Sequence, residues 1–230
     1  MKIIAFAATK GGTGKTTLCF NTAIYAASLG HSVYICDLDP QRSLEELCER
    51  RDAKQGETNN PMLLEGVKSI TTDVPKLIRN GYARDFIFID TPGSHMTIIE
   101  DAIGPADCIV LPVQPSPLDI LAQEEVARSV DRLGKARDTL FVLNRVDGRS
   151  SVDDTIERIK PLFPHYPAQV NQRLDYSRSL IAGLTGPEIN KACVTEIEAL
   201  WAAIQKVIGN EESKHGGSGQ VIPLRKSAAG

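Results

Sequence analysis

The chain has 230 residues, 42% hydrophobic and 24% charged, a balance that suits a globular protein with a sizeable core and excludes a disordered or fibrous chain. Its 26 Lys and Arg against 29 Asp and Glu leave a net charge of −3, so a nucleic acid or anionic membrane would have to be met by a local basic patch. Five scattered cysteines with no C-x-x-C argue for reduced, buried thiols, and no apolar run approaches the ~20 residues of a membrane-spanning helix, which points to the cytoplasm.

The first predicted strand, KIIAFAA at 2–8, runs through ATKGGTGKTT into a helix over 15–29. Glycines at such a junction turn backbone N–H groups inward around phosphate oxygens, and the helix adds its positive N-terminal end. Gly11, Gly12, Thr13, Gly14, Lys15, Thr16 and Thr17 are the candidate nucleotide-binding residues: Lys15 would reach the β- and γ-phosphates, and the Thr16 hydroxyl would hold Mg2+. The spacing departs from the plain G-x-x-x-x-G-K-[ST] pattern, because Thr9 stands where its first glycine belongs and Lys10 follows immediately. This loop therefore carries two lysines where its own nucleotide needs one.

The second strand, 32–38, ends in CDLDPQRS before a helix over 42–53. Asp37 and Asp39 are two apart, so in extended backbone both would leave one face towards the site. A strand at 66–71 and a helix at 73–80 follow, then the strand DFIFID at 85–90. Its terminal Asp90 is the candidate carboxylate for Mg2+ through water, and Gly93 in the following TPG would allow a switch segment to rearrange. His95 opens the next helix, 95–103, where a lone loop histidine is more often incidental than a phosphate ligand.

The strand at 107–113 leads into LPVQPSPLD, whose prolines shape a loop beside the site, and a helix over 117–133. The strand at 139–144 ends in VLNRVD, where the Asn144 amide can donate to and accept from a purine. After a helix at 151–162 and a strand at 168–173 come helices at 176–182 and 187–208. In the last, Trp201 shares helical spacing with Ile197, Leu200, Ile204 and Ile208 and reads as core. From Gly209 the composition becomes small and polar, so the expected organisation is one domain over 1–209 and a disordered tail over 210–230. Alternating apolar strands and amphipathic helices specify an α/β fold: an open, mostly parallel twisted sheet with helices on both faces and ligands at the carboxyl ends of its strands.

KGGTGKTT resembles the deviant phosphate loop of the ParA/MinD family of ATPases, and DLDPQ is similar to that family's second signature. The resemblance covers residues 1 to about 208 and is most specific in the first 94. It implies a P-loop ATPase using ATP and Mg2+, in which Lys10 crosses an ATP-bound homodimer interface to the partner's phosphates. Asp39 would position the attacking water, and Asp37 would serve the magnesium shell or the loop geometry. It further implies a small ParA-type protein without an N-terminal helix-turn-helix domain, with an ATP-bound dimer that binds non-specific DNA on the nucleoid. A cargo-bound adaptor would stimulate slow hydrolysis, the cargo being a plasmid, a chromosome origin or a protein assembly.

Arg145, Arg149, Arg173, Arg178 and Lys191 are the candidate DNA contacts, each equally readable as a solvated charge. The end VIPLRKSAAG has few apolar residues interrupted by proline, so no membrane anchor is evident. Two alternatives stay open. DTPG and NRVD also approach GTPase motifs, although Arg145 replaces the lysine of the guanine motif; and a metabolic, amidoligase-like enzyme of the same fold would use ATP on a small molecule.

Overall fold

In the computed structural model the described residues are 1–54, 84–147, 152–159, 165 and 168–212. The predicted strand at 66–71, the helix at 73–80, Arg149 and the tail beyond residue 212 lie outside them.

The β-branched and aromatic runs form six strands among the described residues: β1 (Lys2–Phe6), β2 (Val33–Asp37), β3 (Phe86–Asp90), β4 (Cys108–Val113), β5 (Thr139–Val146) and β6 (Ala168–Asn171). The helices are α1 (Lys15–Ser28), α2 (Ser43–Asp52), α3 (Met96–Ile103), α4 (Pro117–Arg132), α5 (Asp153–Ile159), α6 (Leu174–Ile181), α7 (Gly186–Ile189) and α8 (Lys191–Glu212). All strand pairs are parallel, in the order β2-β3-β1-β4-β5-β6. The chain leaves β1 outward to β2, returns to β3 and then crosses to β4 on the other side of β1. That reversal opens a crevice at the carboxyl end of β1, the place where such sheets bind ligands.

Strand periodicity divides the core. Ile4, Phe6, Phe86 and Phe88 face one side and pack with Leu18 and Phe20 of α1 and Ile197, Leu200, Trp201 and Ile204 of α8. Ile3, Ala5, Ile87 and Ile89 face the other, against Ile99 and Ile103 of α3 and Val126 and Val130 of α4. Trp201, expected in the core, lies edge-on to Phe86 with ring centroids 5.0 Å apart. Burying each such large side chain is worth about 1.5–3 kcal/mol. All five cysteines are free and buried.

Several boundaries differ from expectation, three of them informatively. The helix expected at 187–208 is two, because Asn190 adopts extended backbone and its Oδ1 accepts the Ala192 N–H, ending α7 and starting α8. α8 then continues to Glu212, past the composition change at Gly209. β5 runs two residues beyond Asn144, with a bulge at Arg145, whose φ of 55° interrupts the register against β6. Among the described residues no helix is long and apolar enough to cross a membrane.

Candidate functional site

The loop between β1 and α1 wraps the amino end of α1. Gly14 caps that helix at φ 96°, and a Cβ there would lie 2.2 Å from the Asn144 amide nitrogen, so the position excludes a side chain twice over. Asn144 Nδ2 donates to the Thr13 carbonyl at 2.6 Å, and Gln114 Nε2 donates to the Gly12 carbonyl at 3.1 Å. The loop is thus braced from the ends of β4 and β5 before any ligand enters. On the far side, the chain after β3 comes so close that a Cβ on Gly93 would sit 3.3 Å from the Gly11 nitrogen.

These pieces enclose an open cavity of about 540 Å³, bordered by Gly12, Lys15, Thr16, Asp39, Gly93 and Arg145, with His95 also on its edge. Lys15 is buried there, and desolvation lowers its pKa against the opposing pull of Asp90 and Asp39. The Thr16 hydroxyl donates to Asp90 Oδ2 at 2.6 Å. Asp90 is 1% exposed, and its other oxygen has no hydrogen-bond partner. Burial raises its pKa to about 7, with the Thr16 hydroxyl opposing. A hydroxyl and a buried carboxylate with an oxygen to spare suit a hard, oxygen-seeking cation such as Mg2+.

The two aspartates after β2 part company. The strand ends at Asp37, so the period-two argument stops there. Asp37 Oδ1 accepts the Asp39 N–H at 2.9 Å, and Oδ2 accepts the Leu44 and Glu45 N–H groups at 2.9 and 3.1 Å. Both of its carboxylate oxygens thus accept backbone N–H groups of the following loop and the start of α2, while its register partner on β3 is Asp90. Asp39 lines the cavity, with Oδ1 accepting the Gln41 N–H at 2.9 Å.

Lys10, between the cavity-lining Thr9 and Gly11, has its side chain 44% exposed, and Nζ lies 3.0 Å from Asp119 Oδ1, an ion pair not aligned as a hydrogen bond. Asp119 is in the first turn of α4 and 3% exposed. The neighbouring Thr9 hydroxyl donates to the Ala122 carbonyl at 2.5 Å. The front of the loop is therefore fastened to α4. Sequence reasoning placed the LPVQPSPLD segment beside the site without assigning roles; Gln114 and Asp119 are the residues that act.

A second cavity, of about 590 Å³, adjoins the first across Gly14 and Thr17 and is walled by Asn144, Arg145, Asn171 and Arg173. Asn144 lies at its edge, with its amide nitrogen committed to Thr13. Among the basic residues proposed for DNA, Arg145 is exposed and borders both cavities. Arg173 is paired with Glu196 at 2.8 Å. Arg178 on α6 and Lys191 at the start of α8 are exposed.

A family profile for the CobQ/CobB/MinD/ParA nucleotide-binding domain matches residues 4–184. The Maintenance of carboxysome distribution protein A of Gloeobacter kilaueensis is 30% identical over 194 residues, covering 80% of this chain and 83% of its own. The cell division ATPase MinD of Pyrococcus furiosus superposes with a TM-score of 0.73 at 20% identity, over 90% of this chain and 99% of its own. A putative plasmid partition protein of Borrelia burgdorferi bound to AMPPNP gives 0.71 at 16% identity, over 91% and 99%. At these identities the two structures establish the fold.

Proposed function

Since the chain belongs to the family of CobQ/CobB/MinD/ParA nucleotide-binding domains, we propose that it is a partition or positioning ATPase whose ATP-bound form is a DNA-binding homodimer. The observation that carries this is the pair of lysines in one loop. Lys15 is buried beside Asp90, while Lys10, next to the cavity-lining Thr9 and Gly11, keeps its side chain 44% exposed. An exposed cation on the phosphate loop serves the phosphates of a second subunit laid over the cavity, which ties association to the triphosphate.

In this reading Gly11 to Thr17 hold the phosphates, and the adjoining cavity takes the base. Thr16 and Asp90 would hold Mg2+, which supplies charge neutralisation at the phosphates. Asp39 orients the attacking water, and Gly93, in contact range of Gly11, couples the segment after β3 to the state of the loop. The dimer meets duplex DNA through Arg145, Arg149, Arg178 or Lys191 on the nucleoid. An adaptor on the cargo, a plasmid, chromosome origin or protein assembly, then stimulates a slow hydrolysis. One domain ending with α8 carries all of this.

The test is retention on non-specific duplex DNA with ATP, ADP, GTP or no nucleotide, at low and moderate salt. ATP-only retention that falls steeply with salt and disappears in Lys10→Ala is the expected outcome. Indifference to ATP would overturn the switch and favour a metabolic enzyme of this fold; retention with GTP alone would overturn the nucleotide assignment.

A further inference from the structure

Glu196 is an acid on the core-facing side of α8, 8% exposed and next to Ile197. Carboxylates are rarely buried without partners, and this one has four. Oε1 accepts from Asn171 Nδ2 at 2.6 Å and from Arg173 Nε at 2.8 Å. Oε2 accepts from the Tyr176 hydroxyl at 2.9 Å and, at 3.4 Å, from the Asn171 backbone N–H. The donors span the end of β6, the turn after it and the first part of α6. Asn171, Arg173 and Tyr176 all line the 590 Å³ cavity next to Gly14 and Thr17.

The opposite edge of the cavity is already fixed. Asn144 is held by Thr13, and Arg145 is aimed by the bulge in β5. The outer wall is a short strand end and a turn, 171–174, whose backbone is tied to β5 by the Gln172 N–H on the Val146 carbonyl at 2.9 Å, leaving its side chains to be held from elsewhere. Tyr176 is further backed by α7, since a Cβ on Gly186 would meet its ring at 2.8 Å. The whole wall therefore converges on one carboxylate contributed from a distant part of the sequence.

We infer that Glu196 is a positioning residue for nucleotide affinity: it holds Asn171, Arg173 and Tyr176 in the wall against which the base rests, without touching the nucleotide. This rests on the reading that the paired cavities hold ATP. It gives Arg173 a place in that wall, its guanidinium drawn to Glu196 and away from a DNA backbone. An unbuttressed wall would leave the phosphate loop intact and weaken only the base end.

The experiment separates those two ends. Isothermal titration of the full chain, with magnesium, compares ATP with inorganic tripolyphosphate, which engages the phosphate loop alone. Wild type is expected to bind ATP more tightly than tripolyphosphate. Glu196→Ala should weaken ATP about tenfold or more while tripolyphosphate stays within about twofold. Glu196→Gln, which keeps one acceptor oxygen, should fall between, and Tyr176→Phe, which removes one donor and keeps the ring, should weaken ATP severalfold. A parallel loss of both ligands, or unchanged ATP binding, overturns the inference; Tyr176→Phe decides if Glu196→Ala melts below the assay temperature. A wild type that binds the two equally shows instead that the base is not held in this cavity, and both readings fall.

Discussion

Asp90 and Asp119 are both buried carboxylates, and the site uses them in opposite ways. Asp90 lies among few donors, so burial holds its pKa near about 7 against an ordinary 3.8. The folded chain then keeps a proton that the unfolded chain has released. Between those two values unfolding releases that proton, so the ligand-free protein loses stability as pH rises from about 4 to about 7. Asp90→Asn removes this dependence. Its melting temperature should exceed wild type clearly at pH 8 and little at pH 4, while magnesium-dependent nucleotide binding is lost. Asp119, by contrast, has Lys10 beside it and holds that lysine within its own subunit. If Lys10 serves a partner's phosphates, this pair must open first. Asp119→Asn should then lower the ATP concentration for half-maximal dimerisation by roughly 1.4- to fivefold, the range set by about 0.2–1 kcal/mol for a half-exposed pair. Light scattering against ATP concentration reads it, and an unchanged midpoint removes Asp119 from the switch.

At the scale of elements, the site is assembled from the ends of strands and the starts of helices. α1 is capped by Gly14, at φ 96° and crowded by Asn144, and α2 begins under the Asp37 carboxylate, which satisfies the N–H groups of Leu44 and Glu45. Free helix-start N–H groups buried without an acceptor are costly. Asp37→Ala should therefore destabilise the fold by about 1–2 kcal/mol in denaturant unfolding. Magnesium titration of the nucleotide complex should shift less in that variant than in Asp90→Asn; an equal shift would return Asp37 to the metal shell. The α4 start plays the same part for the phosphate loop, through Thr9, Lys10 and Asp119. The same helix carries Leu118 and Leu121, 71% and 57% exposed.

Across the whole molecule, two apolar layers sandwich the sheet and hold the strand ends in line. The aromatic contact of Trp201 with Phe86 and Phe88 anchors α8. α8 in turn carries Glu196, so the packing of one helix sets both stability and the outer cavity. Trp201→Ala, by leaving a void, should cost about 3–5 kcal/mol in denaturant unfolding. The phosphate loop was legible in the sequence because its chemistry is local: seven consecutive residues supply the glycines, the lysine and the hydroxyl. Asp90 was legible because an apolar run announces a buried strand and its terminal acid marks the carboxyl end. Asp119 and Glu196 were not assigned roles. Asp119 reads as an ordinary first-turn acid, whereas Glu196 left one signal, a charge on the apolar stripe shared by Cys193, Ile197, Leu200 and Ile204.

The sequence by itself determined the alternation of strands and helices, the parallel sheet, the two-lysine loop and the acids at the strand ends. These follow from periodicity and from contacts between near neighbours, which a linear reading contains. The tertiary structure alone decided the strand order, the turning of Asp37 under α2, the commitment of Asn144 to Thr13, the cis pairing of Lys10 with Asp119 and the clamp of Glu196 on the outer wall. Each joins segments remote in the chain or depends on where a strand stops. Their energies arise only when the packed sheet removes water and brings the partners within a few ångströms.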